Sequence, residues 1–402
     1  MQPRVPGAGS RLGPHPARDT PVRHDGVRVA IDAMGGDHAP EATVGGAVLA
    51  ARELGVAVAL VGHADVVRGQ LAEFDVEDLS ISVEHAPDVI RMDEPPVSAV
   101  RRKPRSSLRA SFELLRTGRV DAVVSAGNSG AVMAAGLFSV GGLSGVDRPA
   151  IAVPIPVAHG HVVLLDAGAS VEASARDLVQ YALMGQVYAR VLSGIAAPRV
   201  ALLSNGQEDS KGTEATRAAS AELRQLPIGF VGYVEGRDIC RGSVDVVVCD
   251  GFVGNAVLKA LEGFGGMTLE LLRAAFLRSW QGRIGYWLAR RALAEVRDRL
   301  DDAEHGGAPL LGLDGVAIVA HGNASARAIR SAVRVAHDSV RLEMNRQIAE
   351  ALASLSPISE SGPRRGRLWR QLRGRFTAGR DGGDSSGGEP TTSNAVGQPE
   401  EG

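Results

Sequence analysis

Six short segments of the sequence combine glycine with side chains that can bind an anion or move a proton. Glycine-rich loops that lead into helices expose backbone N–H groups and the positive end of the helix dipole, which suits a phosphate or a carboxylate. One such loop alone is more often only a turn. Turns do not require glycine to be combined with polar and charged side chains in six separate loops. The pattern therefore predicts an anionic substrate. The segments are IDAMGGD (31–37), SAGNSGA (125–131), LLDAGAS (164–170), SNGQEDSKG (204–212), CDGFVGN (249–255) and AHGNAS (320–325).

The elements that must position these loops are apolar, β-branched runs that alternate with helical patterns. VRVAIDAM (27–34) is followed by a helical pattern from Glu41 to Leu54 and by a second run, VAVALVG (56–62). This alternation predicts an α/β fold, with three αβα layers and a mainly parallel sheet. Ligands of open α/β sheets bind outside the carboxyl ends of the strands, so we expect the loops to line one cleft. Further strands are predicted at 120–127, 150–157, 161–168, 199–206, 244–251 and 315–322.

Composition and missing motifs exclude several functional classes. The chain has 402 residues with a formal net charge of −2, so no global basic field favours nucleic acid as a partner. Its two cysteines, Cys240 and Cys249, argue against a disulfide framework and favour a reducing, cytoplasmic setting. The sequence has no G-x-G-x-x-G, no zinc-ligand spacing and no G-x-S-x-G, and the 204–212 segment reverses the order of a P-loop. We predict no cofactor and no metal.

The two ends of the chain differ from the middle. Residues 1–26 are rich in Pro, Gly, Arg and His, lack the apolar core of a secretory signal and are predicted to be a disordered extension. Residues 27–358 are predicted to form the α/β domain, and 359–402 an Arg-rich and then polar disordered tail. The charge-free stretch 122–146 is interrupted by GNSG and is predicted to be strand, loop and buried helix rather than a membrane span.

The ordered set of motifs resembles the phosphate acyltransferases of bacterial phospholipid synthesis, the PlsX family. The resemblance covers about Val27 to Ala336 and implies a homodimer with an αβα fold related to phosphotransacetylases and isocitrate dehydrogenase-like enzymes. It implies transfer of a long-chain acyl group from acyl carrier protein to inorganic phosphate, giving acyl phosphate for a membrane glycerol-3-phosphate acyltransferase. The motifs include DAMGGDHAPE, RRKPRSSL, VSAGNSGAVMAAG, LLDAGAS, LVQYALMG, KGTE, DVVVCDGFVGNAVLKALEG, GGAPLLGLDG and AHGNASARAI.

This resemblance assigns roles to residues of the loops. Lys211, one of few lysines, is expected to orient phosphate or the oxyanion, and Asn255 to donate its amide to the carbonyl oxygen. A surface lysine and a helix cap are the alternatives. The loop aspartates are also good capping residues. Substrate and phosphate are expected to contact Asp32, Gly35, Gly36, Asp37, Asn128, Ser129, Gly130, Asp166, Gly168, Asp250, Gly251, Gly254, His321 and Gly322.

The implied reaction also needs a leaving thiolate to be protonated. His38 and His321 are the predicted proton donors, with a structural histidine as the alternative for each. Cys249 follows an apolar run and is predicted to be a buried small hydrophobe, so we expect direct transfer without an acylated enzyme.

Two surfaces are predicted to meet partners. Arg101, Arg102 and Lys103 form a basic cluster that suits an acidic carrier protein, although a solvated face explains it equally well. Residues 274–300 are predicted to form a projecting helical pair that contacts an anionic membrane surface, so that the protein attaches peripherally to the inner face of the membrane. A dimer or core contact is the alternative. The predicted membrane residues are Trp280, Ile284, Trp287 and Leu288, with Trp369, Leu372 and Phe376 of the tail in support.

Two other functions compete with acyl transfer. One is a nicotinamide-dependent 2-hydroxy acid dehydrogenase of similar architecture, which requires a cofactor fingerprint and metal carboxylates. The other is an inactive membrane-associated scaffold, because Ser129, Ser170 and Thr213 stand where the resembling family has other polar residues.

Overall fold

A mixed sheet of eleven strands runs through the computed structural model, which describes residues 26–158, 160–300, 306–353 and 355. All described residues belong to one compact unit. The predicted N-terminal extension, apart from Gly26, lies outside these residues. The predicted tail and its Trp369, Leu372 and Phe376 lie outside them as well.

The strands are short and the helices alternate with them. The strands are β1 (Arg28–Asp32), β2 (Ala57–Gly62), β3 (Ile81–His85), β4 (Ala122–Ser125), β5 (Ala150–Pro156), β6 (His161–Leu165), β7 (Val200–Leu203), β8 (Phe230–Val234), β9 (Val246–Val248), β10 (Ala308–Leu311) and β11 (Val316–Val319). The helices are α1 (Glu41–Leu54), α2 (Ala64–Leu71), α3 (Pro96–Arg102), α4 (Ser107–Arg116), α5 (Ser129–Ser139), α6 (Ala175–Val191), α7 (Glu214–Leu223), α8 (Gly236–Arg241), α9 (Gly251–Leu277), α10 (Trp280–Leu300), α11 (Ala326–Arg341) and α12 (Met344–Ala353).

The sheet has two halves that run in opposite directions. Its order is β3-β2-β1-β4-β11-β10-β5-β6-β9-β7-β8. Strands β3, β2, β1, β4 and β11 are mutually parallel, and so are β6, β9, β7 and β8. Between these groups, β10 is antiparallel to both β11 and β5, and β5 is antiparallel to β6. Three antiparallel steps reverse the second group relative to the first.

Alternating side chains of the strands build the two core layers of the first half. On β1, Val29 and Ile31 face one way and pack with residues of α1 and α11 such as Val44 and Val333. Ala30 faces the other way, into the core formed with α4 and α5. A strand that is apolar on both faces needs helices on both faces, which is why these runs lack the polar alternation of a half-exposed strand.

Most of the predicted elements are confirmed. Helix α1 spans the predicted residues, and the charge-free stretch contains β4 and the largely buried α5 rather than a membrane span. The described residues contain no helix that is both long enough and apolar enough to cross a membrane. The pattern missed β3, β8 and β10. Strands β3 and β8 are partly exposed at the two lateral edges of the sheet, and β10, with the sequence APLL, contains a proline, which strand patterns disfavour.

Candidate active site

Asp166 organises the loop that follows β6. Its carboxylate is fully buried and accepts five hydrogen bonds, from the backbone N–H groups of Ile151 (3.0 Å), Gly168 (3.0 Å), Ala169 (2.9 Å) and Ser170 (2.8 Å) and from the Ser170 hydroxyl (2.9 Å). Burial raises the pKa of Asp166, and the hydrogen bonds oppose that shift. The carboxylate therefore has a structural role: it ties the loop to the neighbouring strand β5.

The first turn of α9 rests directly on this loop. A Cβ atom on Gly251 would lie 2.2 Å from the Ser170 carbonyl oxygen, and one on Gly254 would lie 1.9 Å from the Asp166 carbonyl oxygen. Only glycine permits such a close approach of two backbones. Asp250 caps the helix, because its Oδ1 accepts a 2.8 Å hydrogen bond from an N–H of the first turn. The prediction that Asp250 caps a helix is thus confirmed.

Asn255 and Lys211 belong to adjacent loops at one edge of the sheet. Asn255, exposed in the second turn of α9, lies beside Gly168, where a Cβ would be 3.5 Å from the Asn255 Cβ. Lys211 follows β7, which pairs with β9 just as β6 does. Its side chain packs over Gly206, and within the described part of the chain its ammonium forms neither a hydrogen bond nor an ion pair. An ammonium with no partner among the described residues and an exposed amide, on loops after neighbouring strands, are each suited to binding an oxyanion.

A second group of loops follows β1, β4 and β11. Asp32 is buried and accepts a 2.8 Å hydrogen bond from the Ser125 hydroxyl. Burial raises the pKa of Asp32, and the hydrogen bonds from serine hydroxyls oppose this shift. Gly35 leaves no space for a side chain, since a Cβ there would lie 2.7 Å from an Asp32 carboxylate oxygen and 2.9 Å from the Gly127 nitrogen. The first two loops are therefore packed backbone to backbone.

The third loop of this group joins the first by a hydrogen bond of the main chain. The N–H of Asp37 donates to the Gly322 carbonyl over 2.7 Å, and Gly36 adopts the left-handed conformation that brings its neighbour into place. The Asp37 side chain itself is exposed.

Asn128 also has a structural role. Its Oδ1 caps α5 by accepting from an N–H of the first turn over 3.1 Å, and its Nδ2 donates to the Met92 carbonyl over 2.9 Å. Ser129 and Gly130 open the helix, and Gly130 packs against Pro96. The GNSG segment thus connects the glycine loops to the segment that leads into α3.

The single cleft predicted from the sequence requires a correction. The two halves of the sheet run in opposite directions. The carboxyl ends of β6, β9 and β7, with the loops that follow them, therefore lie on one side of the molecule, and the carboxyl ends of β1, β4 and β11 lie on the opposite side. Helix α9 connects the two groups. Asn255 contacts the Gly168 loop, and one turn further along the helix the Lys259 ammonium lies 3.2 Å from Nε2 of His321.

The contact between Lys259 and His321 was not predicted from the sequence. The Lys259 ammonium also lies 2.7 Å from a carboxylate oxygen of Glu262. The sequence does place Lys259 on the helix face of Asn255, which it follows by four residues, but it gives no signal for the contact with His321. His38 is exposed on the loop after β1.

The three basic residues at the end of α3 differ in their surroundings. Arg101 and Arg102 are exposed, and the Arg101 guanidinium stacks 5.5 Å from the centre of the Phe138 ring. Lys103 instead pairs with Glu94 at 2.5 Å and donates to the Val89 carbonyl at 2.7 Å. The hydrogen bond from Lys103 lowers the pKa of Glu94. The charge of Lys103 is therefore largely neutralised within the chain.

The helical pair is longer than the predicted segment 274–300. Its first helix, α9, begins at Gly251 in the site, and α10 turns back after Arg278 and Ser279. Gly282 allows the turn, because a Cβ there would lie 2.1 Å from the Phe276 carbonyl oxygen. The four predicted membrane residues, Trp280, Ile284, Trp287 and Leu288, are each more than half exposed.

Comparison with known proteins places these features in a family. The model of the family described as "Fatty acid synthesis protein" matches residues 27–347. The chain belongs to this family. The phosphate acyltransferase of Citrifermentans bemidjiense is 50% identical over 331 residues, which are 82% of this chain and 94% of that protein. The phosphate acyltransferase of Geobacter sulfurreducens is 48% identical over 326 residues, or 81% and 94% of the two chains.

Solved structures confirm the fold class. A phosphotransacetylase from Streptococcus pyogenes aligns with a TM-score of 0.50 and 18% identity, over 83% of this chain and 96% of that one. A branched-chain phosphotransacylase from Enterococcus faecalis aligns with a TM-score of 0.50 and 14% identity, over 78% and 99%. At this identity the similarity concerns the fold, and it agrees with the predicted relation to phosphotransacetylases.

Cys249 lies behind the backbone contact between α9 and the Asp166 loop. It is buried, its thiol is 3.7 Å from the Asp166 carbonyl oxygen, and burial raises its pKa well above the ordinary value. Because the thiolate is the nucleophile, a thiol with a raised pKa in a buried position is inert.

We predict that a disulfide thiol reagent, in mildly alkaline buffer, modifies one cysteine per folded chain and both after unfolding in guanidinium. The reactive thiol is Cys240, which is exposed. Measurement of the released chromophore tests this, and Cys240→Ser is the control that should leave the folded protein unreactive. Rapid modification of Cys249 in the folded Cys240→Ser protein would contradict the assignment.

Proposed function

We propose that this protein transfers a long-chain fatty acyl group from acyl carrier protein to inorganic phosphate and releases acyl phosphate for phospholipid synthesis. The observation that carries the proposal is that β7 and β9 are paired strands, with Lys211 on the loop after β7 and the exposed Asn255 in the helix after β9. Among the described residues the Lys211 ammonium has no hydrogen-bond or ion-pair partner. The names of its close relatives, phosphate acyltransferases, support the same reaction.

The reaction requires no proton transfer by the protein until the leaving group departs. A phosphate oxygen attacks the thioester carbonyl carbon, a tetrahedral oxyanion forms, and the carbon–sulfur bond then breaks. Phosphate is already anionic near neutral pH, so no strong base is required. Catalysis rests on holding two reactants together and on stabilising the developing negative charge. We assign the first task to Lys211, which binds phosphate, and the second to Asn255, whose amide donates to the carbonyl oxygen.

Two rival functions account for less of what is observed. A nicotinamide-dependent dehydrogenase is not favoured by the names of the relatives, which specify acyl transfer to phosphate. An inactive scaffold has no need for a lysine that lacks a partner among the described residues, or for an exposed amide on a helix held by close backbone contacts at Gly251 and Gly254.

Incubation with palmitoyl-acyl carrier protein and phosphate, with acyl phosphate measured as its hydroxamate, tests the proposal. We expect Lys211→Met to lower kcat/KM by about 10²–10³, the typical loss when one group that stabilises an oxyanion is removed. Arg68→Met removes an exposed charge on α2 and serves as the control. If Lys211→Met keeps a kcat/KM within about threefold of the wild type, this role of Lys211 is excluded. If the wild type itself shows no turnover, the proposed function is excluded.

The carrier protein is proposed to dock on the exposed arginines at the end of α3. Acyl carrier protein is acidic, and a basic surface steers an acidic partner. The segment that leads into α3 is hydrogen-bonded to Asn128, so this surface is joined to the second group of glycine loops. Lys103 contributes less, since Glu94 neutralises it.

Charge reversal tests the docking surface. The double variant Arg101→Glu/Arg102→Glu should raise the KM for acyl carrier protein about tenfold or more at low salt, with kcat little changed. It should leave turnover of a small palmitoyl-pantetheine thioester unaffected. The matched control reverses Arg68 and Arg346, exposed on other helices. Equal KM values for wild type and variant on the carrier substrate would rule out docking at α3.

The helical pair is proposed to contact an anionic membrane surface, from the cytoplasmic side, where the acyl phosphate passes to a membrane glycerol-3-phosphate acyltransferase. Trp280 at the start of α10 and Trp287 two helical turns further along are both exposed, and the Arg290 guanidinium lies 5.3 Å from the centre of the Trp287 ring. Tryptophan and arginine suit the headgroup region of an anionic bilayer.

The exposed apolar residues Phe264, Met267 and Leu271 of α9 favour a homodimer through this helix, for which light scattering should give twice the chain mass.

Sedimentation with vesicles tests the membrane contact. The wild type should sediment with anionic vesicles and not with neutral ones, and Trp280→Ser/Trp287→Ser should remain in the supernatant. The control, Val66→Ser/Val231→Ser, removes exposed apolar side chains from other surfaces. Equal sedimentation of the two double variants would show that the helical turn does not bind the membrane.

A further inference from the structure

A polar cluster lies one helical turn beyond Asn255. The Lys259 ammonium is 2.7 Å from a carboxylate oxygen of Glu262 and 3.2 Å from Nε2 of His321. Asn255, Lys259 and Glu262 follow one another at spacings of four and three residues, so they share one face of α9. Lys259 remains exposed, which keeps the cluster accessible to a substrate that Asn255 binds.

The choice of lysine at this position is informative. The chain has 44 lysines and arginines, and only three of them are lysines: Lys103, Lys211 and Lys259. Arginine supplies a positive charge equally well, but its guanidinium does not release a proton in proteins, whereas a lysine ammonium does. Lys103 has a structural partner and Lys211 is assigned to phosphate. Lys259 is the remaining lysine, and it lies beside the amide assigned to the thioester oxygen.

The hydrogen bond to His321 limits what the histidine can do. When Lys259 is charged, its ammonium donates and Nε2 of a neutral His321 accepts. Nε2 then carries no proton to give to a leaving group. His321 and Glu262 therefore hold the ammonium in place, and the lysine has the transferable proton.

We propose that Lys259 is the general acid that protonates the sulfur of the leaving pantetheine thiol, an inference that rests on the proposed acyl transfer. The Cβ atoms of residues four apart on a helix are about 5–6 Å apart, so the short Asn255 amide and the longer lysine can reach the two sides of one thioester group. The Asn255 amide holds the carbonyl oxygen, and the Lys259 ammonium holds the sulfur.

The step balances without any further reactant. A bond forms between an oxygen of hydrogen phosphate and the acyl carbon, and the carbon–sulfur bond breaks with its electron pair going to sulfur. The Lys259 ammonium gives its proton to that sulfur. The proton that hydrogen phosphate loses returns to the lysine through water, so the products are acyl phosphate and a neutral thiol.

Leaving-group dependence separates proton donation from other roles. An alkyl thiolate leaves poorly without a proton, while the thiolate of a thionitrobenzoate ester is a stable anion that leaves unaided. Lys259→Met should lower kcat on palmitoyl-acyl carrier protein by about 10²–10⁴, the usual contribution of a general acid, and should change kcat on palmitoyl-thionitrobenzoate by less than about threefold. Lys259→Arg, which keeps the charge, should show the same selective loss. Arg273→Met removes a charge further along α9 and should change neither rate.

Each contrary result overturns the assignment. Equal losses of Lys259→Met on both esters would mean that Lys259 only positions substrate or helix. Full activity of Lys259→Arg on the carrier substrate would mean that charge alone is needed. If the unfolding temperature of Lys259→Met is lower than that of the wild type, the activities of Lys259→Arg on the two esters decide between the outcomes. Absence of wild-type turnover on the carrier substrate would refute the proposed function instead, and is distinguishable from these results.

Discussion

The contact between the first turn of α9 and the Asp166 loop determines where Asn255 and Lys259, two of the proposed catalytic groups, lie. Two backbones meet there with no space for a side chain, at Gly251 and Gly254. The loop itself is held by five hydrogen bonds to one buried carboxylate, one of them from the neighbouring strand β5. A helix that starts on so constrained a support has a fixed axis and a fixed rotation. The positions of Asn255 and Lys259 follow from these two quantities.

The same constraint sets the direction of the helical pair. Helix α9 has 27 residues and is therefore about 40 Å long, with the proposed site at its beginning and the exposed Trp280 just after its end. Exposed apolar residues, including Phe264, Met267 and Leu271, lie along the helix between these points. One continuous element thus connects a site that would release an amphiphilic product to a surface that suits a bilayer. A change of the helix axis at the Asp166 loop would move the distant turn far more than it moves Asn255.

Sequence patterns predicted the elements well and their mutual arrangement only in part. The apolar runs and the glycine-containing loops after them are local features, so most strands and the loops that follow them could be located. Pairing direction is not local. The antiparallel strands β5 and β10 have the same apolar character as parallel ones, and together they reverse half of the sheet. For the same reason the contact between Lys259 and His321, 62 residues apart, could not be read from either segment alone.

The three lysines of the chain have different surroundings and different proposed roles. Lys103 forms a compact pair with Glu94 and a backbone carbonyl. Lys211 has no partner among the described residues, and Lys259, held by Glu262 and His321, is the proposed proton donor. Cys249, the nearby nucleophile that a covalent route would need, is enclosed behind the backbone contact at Gly254 and has a raised pKa. A buried thiol, together with two accessible lysines and an accessible amide, supports the prediction that both reactants bind together and that the acyl group passes directly between them.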